Sequence, residues 1–305
     1  MEAAASHRGS LVVRANAKVN LFLRVHPRLP GGLHPIEGVF ATVSLADRLA
    51  IDIRPTPGIT LVTEFAFDCP ASENLCSRAA AAFLEAAGRA RTGCEIRLDK
   101  QIPVFSGLGG GSADAAAVLV ALERLHGSPL GQSALEGLAA HLGSDVPFAL
   151  RGGLAAVRGT GTDVSPLPCR PRLHLLVVKP PCEVSTAWAY SAFDAFPDKA
   201  GPGDLQAMTA ALAADDPARI AASLHNSFEP VVEARFPAVR LAREQLLWAG
   251  ALGARLSGSG AAVFGVFASE EASAEAESRL RAKYPVWRCS LRPAGVELER
   301  EGPPA

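Results

Sequence analysis

The sequence lacks any uninterrupted apolar stretch of about eighteen residues, which is the length that a membrane-spanning helix requires. It also lacks an excess of one charge, because 30 lysines and arginines nearly balance 31 aspartates and glutamates and leave a net charge of −1. A chain without a positive excess has no general attraction for nucleic acid or for an anionic membrane. We therefore expect neither partner, and we expect any basic group that meets a phosphate to act locally.

The six cysteines lack the spacing that metal and redox sites use. No two of them form a C-x-x-C pair, so the sequence supports neither a zinc site nor a thioredoxin-like motif. We expect six reduced thiols in a cytoplasmic protein. The opening segment MEAAASHRGS also lacks the apolar run of a secretory signal, and we expect a short disordered tail there.

What the chain does contain is enough apolar residues for a sizeable core. It has 305 residues, of which 49% are hydrophobic, enough for one large domain or two ordinary ones. Glycine and proline accumulate near residues 155–170. This accumulation predicts a boundary between two α+β halves, which we place between residues 1–160 and 161–305.

Local patterns predict several elements near the candidate functional residues. Alternation over residues 18–25 predicts a half-buried strand that carries Lys18 and Asn20 side by side on one face. Ser72 and Ser112 are predicted to cap two helices. Pro147 is excluded from a helix interior, which places Asp145 at or near a helix start. Residues 254–267 read as a strand, a glycine turn and a second strand.

The most informative segment is PVFSGLGGGSADAAA, residues 103–117. A loop with so little side chain exposes its N–H groups, and the predicted helix after it adds a favourable dipole, so together they form a phosphate cradle. The loop is not a Walker A motif, because no lysine follows the glycines. It is not a dinucleotide fingerprint either, because Ser112 stands where a glycine is needed. The alternative is a tight connection in which glycine only provides unusual dihedral angles.

Three segments resemble the motifs of the GHMP kinases, which phosphorylate small-molecule alcohols with ATP. They are RANAKVNLFLRV, PVFSGLGGGSADAA and LSGSGAAVFGVF, in that order along nearly the whole chain. The first is closest to the subfamily that acts on a CDP-linked methylerythritol alcohol in non-mevalonate isoprenoid synthesis. The resemblance implies ATP and Mg²⁺ as cofactors and a two-domain α+β fold. Its N-terminal half would resemble ribosomal protein S5 domain 2, its C-terminal half would be ferredoxin-like, and the site would lie between them.

The resemblance also implies the catalytic residues. Asp145 matches the catalytic aspartate of a G-[AS]-D-V-P segment, here GSDVP, and would act as the general base for the substrate hydroxyl. Lys18 matches the lysine of A-K-x-N-L-F-L and would polarise that hydroxyl. Taken without the resemblance, a helix-capping role is far commoner for an aspartate like Asp145, and Lys18 is typical of a solvated strand lysine.

The remaining site residues are carried over in the same way. Those implied to bind the cofactor are Asn74, Lys100, Pro103, Val104, Phe105, Ser106, Gly107, Leu108, Gly109, Gly110, Gly111, Ser112 and Ala113. Those implied to bind the substrate are Asn20, His34, Thr186, Tyr190, Gly258, Ser259 and Gly260. Among these, His34 would contact cytosine, Tyr190 would stack on its ring, and Asn74 and Lys100 would approach adenine. Leu33 stands where the subfamily usually has an aromatic residue, and leucine offers no π-face.

Three functions remain open at this point. The first is phosphorylation of the 2-hydroxyl of the CDP-linked alcohol, which the subfamily resemblance favours. The second is another GHMP kinase activity, on homoserine, mevalonate or a sugar. The third is a non-catalytic nucleotide-binding regulator on the same fold, which would lack the base or the cation. We expect a monomer or a homodimer, and no magnesium ligand can be named from the sequence.

Overall fold

The computed structural model describes residues 9–67, 69–169, 171–195, 201 and 203–299. The tail expected at residues 1–8 lies outside the described residues. The strands are β1 Ser10–Val25, β2 Ile36–Arg54, β3 Gly58–Val62, β4 Gly93–Asp99, β5 Leu154–Arg158, β6 Asp163–Pro166, β7 His174–Val178, β8 His225–Asn226, β9 Gly253–Leu256, β10 Val263–Phe267, β11 Val286–Cys289 and β12 Val296–Leu298. The helices are α1 Leu75–Ala86, α2 Gly110–Leu125, α3 Gln132–Leu142, α4 Val146–Arg151, α5 Thr186–Ala195, α6 Leu205–Ala213, α7 Pro217–Ala222, α8 Glu229–Arg235, α9 Pro237–Trp248 and α10 Glu270–Leu280. No helix among these residues is long and apolar enough to cross a membrane.

The strands form two sheets. The first has the order β12-β1-β2-β4-β3, with β5 paired to β2, β6 paired to β5, and the short β8 running parallel to β1. The second is antiparallel with the order β11-β7-β10-β9. Helices α1 to α4 share one apolar cluster with the first sheet, and a second cluster joins that sheet to the second one. This arrangement confirms the expected α+β class with two differently built halves.

The strand that carries Lys18 is confirmed, but the prediction that it is half-buried is wrong. Lys18, Asn20 and Phe22, expected on its open face, are at most 7% exposed. The apolar face packs against the second sheet, where Val19 and Leu21 share a cluster with its residues. The polar face is covered because the backbone N–H of Lys18 donates to the carbonyl of Leu108 in the glycine-rich loop (2.9 Å). Periodicity could not predict a cover made by distant loops.

Two of the predicted helix caps are also wrong. Residues 71–73 form a 3₁₀ turn, so the cap of α1 is Asn74, whose side chain accepts the N–H of Cys76 at 2.9 Å. Helix α2 begins after Gly109, a glycine with a φ of +72°, and Ser112 lies within its first turn. Asp145 does precede a helix, α4, as predicted, and its side chain makes no capping bond. The hairpin of β9 and β10 is confirmed.

The end of the chain returns to the first sheet. Strand β12 pairs antiparallel with β1, and the carbonyl of Gly295 accepts the N–H of Asn16 at 2.8 Å. Strand β8 also reaches β1 from the second half of the sequence. The division at residues 160 and 161 stays a prediction, and β1 is one strand on which later segments of the chain pair with earlier ones.

The pairing of the C-terminal strand β12 with β1 depends on a close backbone contact at Gly295. A Cβ atom there would lie 1.8 Å from the carbonyl oxygen of Ala149, which is closer than any real contact. We predict that Gly295→Ala lowers the free energy of unfolding by about 2 kcal/mol or more, because backbone on both sides must move. The measurement is urea denaturation followed by circular dichroism.

Gly137→Ala is the matched control, since Gly137 lies in α3 with nothing within 4 Å of its added Cβ. Removing a helical glycine should stabilise the protein by up to about 1 kcal/mol. Equal effects of the two changes would contradict the proposed packing of the C-terminal segment.

Candidate active site

A cavity of about 560 Å³ opens between β1, the N-terminus of α2, and the loop that joins β9 to β10. Most of the residues predicted to form the site line it. These are Lys18, Asn20, Lys100, Pro103, Val104, Phe105, Ser106, Gly107, Gly109, Gly110, Gly111, Ser112, Asp145, Thr186, Tyr190, Gly258, Ser259 and Gly260. Four predicted residues do not line it: Asn74, His34, Leu108 and Ala113.

The two candidate catalytic side chains lie next to each other. Lys18 Nζ is 3.4 Å from Asp145 Oδ2, although the two residues are far apart in sequence. The side chain of Lys18 is 8% exposed and that of Asp145 is 34% exposed, so the lysine is fixed in the wall and the carboxylate faces the opening. Lys18 Nζ also lies 5.0 Å from the ring centre of Phe40. This places an ammonium and a reachable carboxylate at one point of the cavity.

Asn20 positions Lys18 through a hydrogen bond and keeps one unpaired amide donor group. Its Oδ1 accepts a hydrogen bond from Lys18 Nζ at 2.7 Å. Its Nδ2 is fully buried and makes no hydrogen bond in the structure. A buried donor without a partner is costly, and Asn20 lines the cavity. The amide is therefore placed to donate to an oxygen of a bound molecule.

The glycine-rich loop presents backbone donors to the cavity. The first helical bond of α2 is from Ala113 N–H to the Gly109 carbonyl, so the N–H groups of residues 110–112 have no partner within the helix. A Cβ on Gly109 would lie 3.1 Å from Lys18 Cγ, so glycine lets the loop lie directly against the lysine. The dipole of a helix of 16 residues also favours negative charge at this end. These features fit a phosphate.

The loop after β9 closes the cavity from the other side. The N–H groups of Ala261 and Ala262 donate to the carbonyls of Phe105 and Ser106, both at 3.0 Å. A Cβ on Gly107, whose φ is +72°, would lie 2.0 Å from the Ser257 carbonyl oxygen. The two glycine loops are thus joined backbone to backbone.

Lys100 has partners other than those expected from the sequence. Its Nζ lies 2.5 Å from Asp47 and 2.9 Å from Asp114. Asp47 is fully buried, and its Oδ1 also accepts the N–H groups of Gln101 and Ile102 just before the glycine loop. The ammonium is therefore used inside the protein, where it fixes the entry to the loop. An approach of Lys100 or Asn74 to adenine stays a prediction.

This buried cluster contains two carboxyl groups and one ammonium. Burial, and then the charge of Asp47, raises the pKa of Asp114 well above its usual range, against the opposing effect of Lys100. Burial would lower the pKa of Lys100, but the two carboxylates raise it overall. Asp114 Oδ1 has no hydrogen-bond partner. The raised pKa favours retention of a proton on Asp114, which would balance the charge of two carboxyl groups and one ammonium.

The far end of the cavity is aromatic. The ring of Tyr190 lies 4.8 Å from that of Phe228, and burial followed by the charge of Asp145 raises the pKa of Tyr190 to about 12. His34 packs 5.0 Å from Tyr190, donates from Nδ1 to the His26 carbonyl at 2.9 Å, and places Nε2 3.3 Å from Asp194. His34 thus stands behind the lining. Leu33 does not line the cavity and is 60% exposed.

A divalent ion would find one carboxylate here. Among the described residues that line the cavity, Asp145 is the only acidic one, and no group of three or more metal-ligating side chains occurs in the described part of the chain. Mg²⁺ commonly keeps several waters and uses one or two carboxylates together with substrate phosphates. The site therefore fits a magnesium ion that arrives with a nucleotide.

Several residues of the site were not predicted from the sequence. The lining residues not predicted are Leu23, Ile36, Phe40, Leu75, Ser144, Thr160, Val184 and Phe228. Asn226 was missed as well, although its side chain donates to the carbonyls of Leu256 and Gly258. Its partners lie 30 and 32 positions away, so no local spacing marks it.

The Asp114 cluster gives a prediction about pH. The unfolded chain loses the Asp114 proton near the ordinary aspartate pKa of about 4, whereas the folded protein keeps it to a higher pH. The folded state therefore binds more protons in this window, and its stability falls as the pH rises through it. Asp114→Asn should reduce this fall, because asparagine keeps the bond to Lys100 and does not titrate.

The measurement is the free energy of unfolding in urea at several pH values between about 4.5 and 8. Asp163→Asn, at an exposed position, is the control and should follow the wild type. Parallel pH curves for the wild type and the Asp114 variant would contradict the assignment of the proton.

Comparisons with known proteins agree with this geometry. Residues 74–153 match the family model of the GHMP kinase N-terminal domain, and residues 208–286 match that of the GHMP kinase C-terminal domain. A 4-diphosphocytidyl-2-C-methyl-D-erythritol kinase of Pelotomaculum thermopropionicum is 47% identical over 270 residues, covering 88% of this chain and 92% of the relative. A protein of the same name from a Synechococcus species is 41% identical over 295 residues, covering 93% and 95%.

Solved structures give the same result. The crystal structure of a 4-(cytidine 5'-diphospho)-2C-methyl-D-erythritol kinase superimposes with a TM-score of 0.80 at 36% identity, covering 92% of this chain and 99% of that one. A homoserine kinase from Cytophaga hutchinsonii has a TM-score of 0.76 at 23% identity, covering 98% and 100%, and shares the fold. The chain belongs to the GHMP kinase family, among the 4-diphosphocytidyl-2-C-methyl-D-erythritol kinases.

Proposed function

We propose that this chain transfers the terminal phosphoryl group of ATP to the 2-hydroxyl of 4-diphosphocytidyl-2-C-methyl-D-erythritol, in non-mevalonate isoprenoid precursor synthesis. The observation that carries the proposal is the contact between Lys18 and Asp145, 3.4 Å apart at the mouth of a cavity lined by two glycine loops. Relatives up to 47% identical that bear the name of this activity support the choice of substrate.

The chemistry follows from where the two charged groups lie. Phosphoryl transfer depends mainly on positioning and on neutralising charge. The partly exposed Asp145 accepts the proton of the substrate hydroxyl as its oxygen attacks phosphorus. Lys18, held by Asn20, keeps its ammonium beside that oxygen and stabilises the charge that develops there. Asn20 Nδ2 donates to the substrate and holds it for attack.

Backbone groups receive the phosphates of ATP. Lys18 is paired with Asp145, and Lys100 with Asp47 and Asp114, so each lysine of the cavity already faces a carboxylate. The N–H groups of residues 110–112 are free to receive the phosphates, and the dipole of α2 favours negative charge at the same place. ATP is therefore bound by a cradle of main-chain donors, with its terminal phosphate towards Lys18.

Mg²⁺ would be held by Asp145 through water and by the phosphates themselves. When bound, it would neutralise negative charge on the transferring phosphoryl group. The side chains of this protein position the alcohol and the nucleotide around the transferring phosphoryl group.

The aromatic end of the cavity would receive the cytidine. Tyr190 offers a ring face, and His34 lies directly behind it. Thr186 Oγ1 lies 3.0 Å from Ser259 Oγ in the lining of the cavity, where the diphosphate of the substrate would bind. We place the reaction in the cytoplasm, because all six cysteines are free. A monomer or homodimer stays a prediction.

The other two functions fit less well. The homoserine and mevalonate kinases that superimpose on this chain do so at 23% identity or less, which supports the fold alone. A non-catalytic regulator does not need both the cation and the base, whereas Lys18 and Asp145 are both present and adjacent.

The substrate is tested with purified protein in a coupled ADP-release assay. We expect turnover with the CDP-linked methylerythritol alcohol and none above background with homoserine, mevalonate or galactose. Turnover with one of those three alone would replace the proposed substrate. Nucleotide binding without transfer to any alcohol would instead favour the regulator.

The general base is tested with Asp145→Asn. This change keeps the size of the side chain and removes its ability to take a proton, so kcat should fall by about 10²–10⁴ while the melting temperature stays close to that of the wild type. The same acid-to-amide change at the exposed Glu85 of α1 is the control and should leave kcat unchanged. A kcat near the wild-type value would remove Asp145 from this role.

A further inference from the structure

We propose that Asn226 is a positioning residue that aims the main-chain N–H of Ser259 at the diphosphate of the substrate. The inference rests on the proposed function and adds to it a residue that never touches the substrate. Asn226 lies on β8, is 3% exposed, and is not among the residues that line the cavity.

The side chain of Asn226 uses both of its N–H donors and its acceptor oxygen at the edge of the site. Its Nδ2 donates to the carbonyls of Leu256 and Gly258, both at 2.8 Å. Its Oδ1 accepts the N–H of Phe228 at 2.8 Å. An amide with two donors and one acceptor is the group that fits this set, and an aspartate of the same shape would face two carbonyl oxygens with no proton to give.

The bond to Gly258 decides which way one peptide group points. The carbonyl of Gly258 and the N–H of Ser259 belong to a single trans peptide, so they point in opposite directions. Asn226 draws the carbonyl away from the cavity into the protein. The N–H of Ser259 must then point to the other side, where Gly258 and Ser259 line the cavity.

This N–H is available to a ligand. Among the described residues, no hydrogen bond involves the N–H of Ser259. Its side-chain oxygen lies 3.0 Å from Thr186 Oγ1, so two hydroxyl groups stand beside the free N–H. One of these hydroxyls donates to the other, so the free N–H and the remaining hydroxyl proton form a small donor cluster, which suits the oxygens of a diphosphate.

The backbone of this loop allows the orientation only because of its glycines. Gly258 has a φ of +54°, and an added Cβ would lie 2.9 Å from the Gly107 carbonyl oxygen. Without the pull of Asn226, this flexible peptide can turn its carbonyl towards the cavity and oppose an anion. The side chain therefore selects one of two peptide orientations.

The variant that tests the inference is Asn226→Asp, which keeps the shape and the acceptor and removes both donors. We expect the KM for the CDP-linked alcohol to rise at least about tenfold, because a donor to a charged group is lost and a carbonyl takes its place. The KM for ATP should stay within about twofold, because the N–H groups at the start of α2 bind the nucleotide independently.

Glu229→Gln is the matched control. Glu229 lies three residues further on, accepts the N–H of Leu256 at 2.9 Å and pairs with Arg255, so it supports the same strand β9 without touching Gly258. We expect its variant to lose stability and to keep both KM values within about twofold. Equal rises in the two KM values for Asn226→Asp, or a rise in neither, would overturn the inference.

A measurement on the wild type covers the case in which the variant does not fold. In amide NMR of the deuterated protein, the Ser259 N–H resonance should shift on addition of CDP and should not shift on addition of cytidine. No shift with CDP, or the same shift with both, would overturn the inference. A wild type that binds CDP in this way but turns over no CDP-linked alcohol would instead contradict the proposed function.

Discussion

The site depends on the backbone contact between the two glycine loops. Residues from positions 105 to 107 accept hydrogen bonds from, or lie directly against, residues from positions 257 to 262. At Gly107 this contact leaves no room for a Cβ atom. Because one loop leads into α2 and the other joins β9 to β10, their contact joins the two halves of the protein and forms the cavity between them.

The positive charges of the cavity are already neutralised by carboxylates of the protein. Each lysine in its wall is paired with a carboxylate before any ligand binds, and the side chain of the lysine at the entrance to the phosphate loop is only 5% exposed. Negative phosphates are therefore received by peptide N–H groups whose directions are fixed by the fold. Donors of this kind need no rearrangement when charge develops, which is the condition under which electrostatic stabilisation is most effective. The near-zero net charge of the chain is consistent with phosphate binding by main-chain N–H groups rather than by an excess of basic side chains.

Side chains outside the cavity set the directions of these donors. Asp47 holds the two N–H groups before the phosphate loop, and Asn226 holds a carbonyl of the opposite loop. Both are buried, and each makes several hydrogen bonds to main chain. Neither belongs to a motif that we recognised, whereas the glycines that they orient do. The sequence motifs thus identify the two glycine loops, and residues on other strands determine the conformation of these loops.

By itself, the sequence determined the fold class, the family, the strand of Lys18 and Asn20, and the position of Asp145 at a helix start. The family and its fold follow from the resemblance of three motifs, and the strand and the helix start follow from local spacing and proline, which act over a few residues. Tertiary structure decided that Lys18 meets Asp145, that the polar face of β1 is covered, and that Lys100 is enclosed by Asp47 and Asp114. Each of these results joins residues that are distant in sequence, and the packing of the two halves and the loops between them sets those distances.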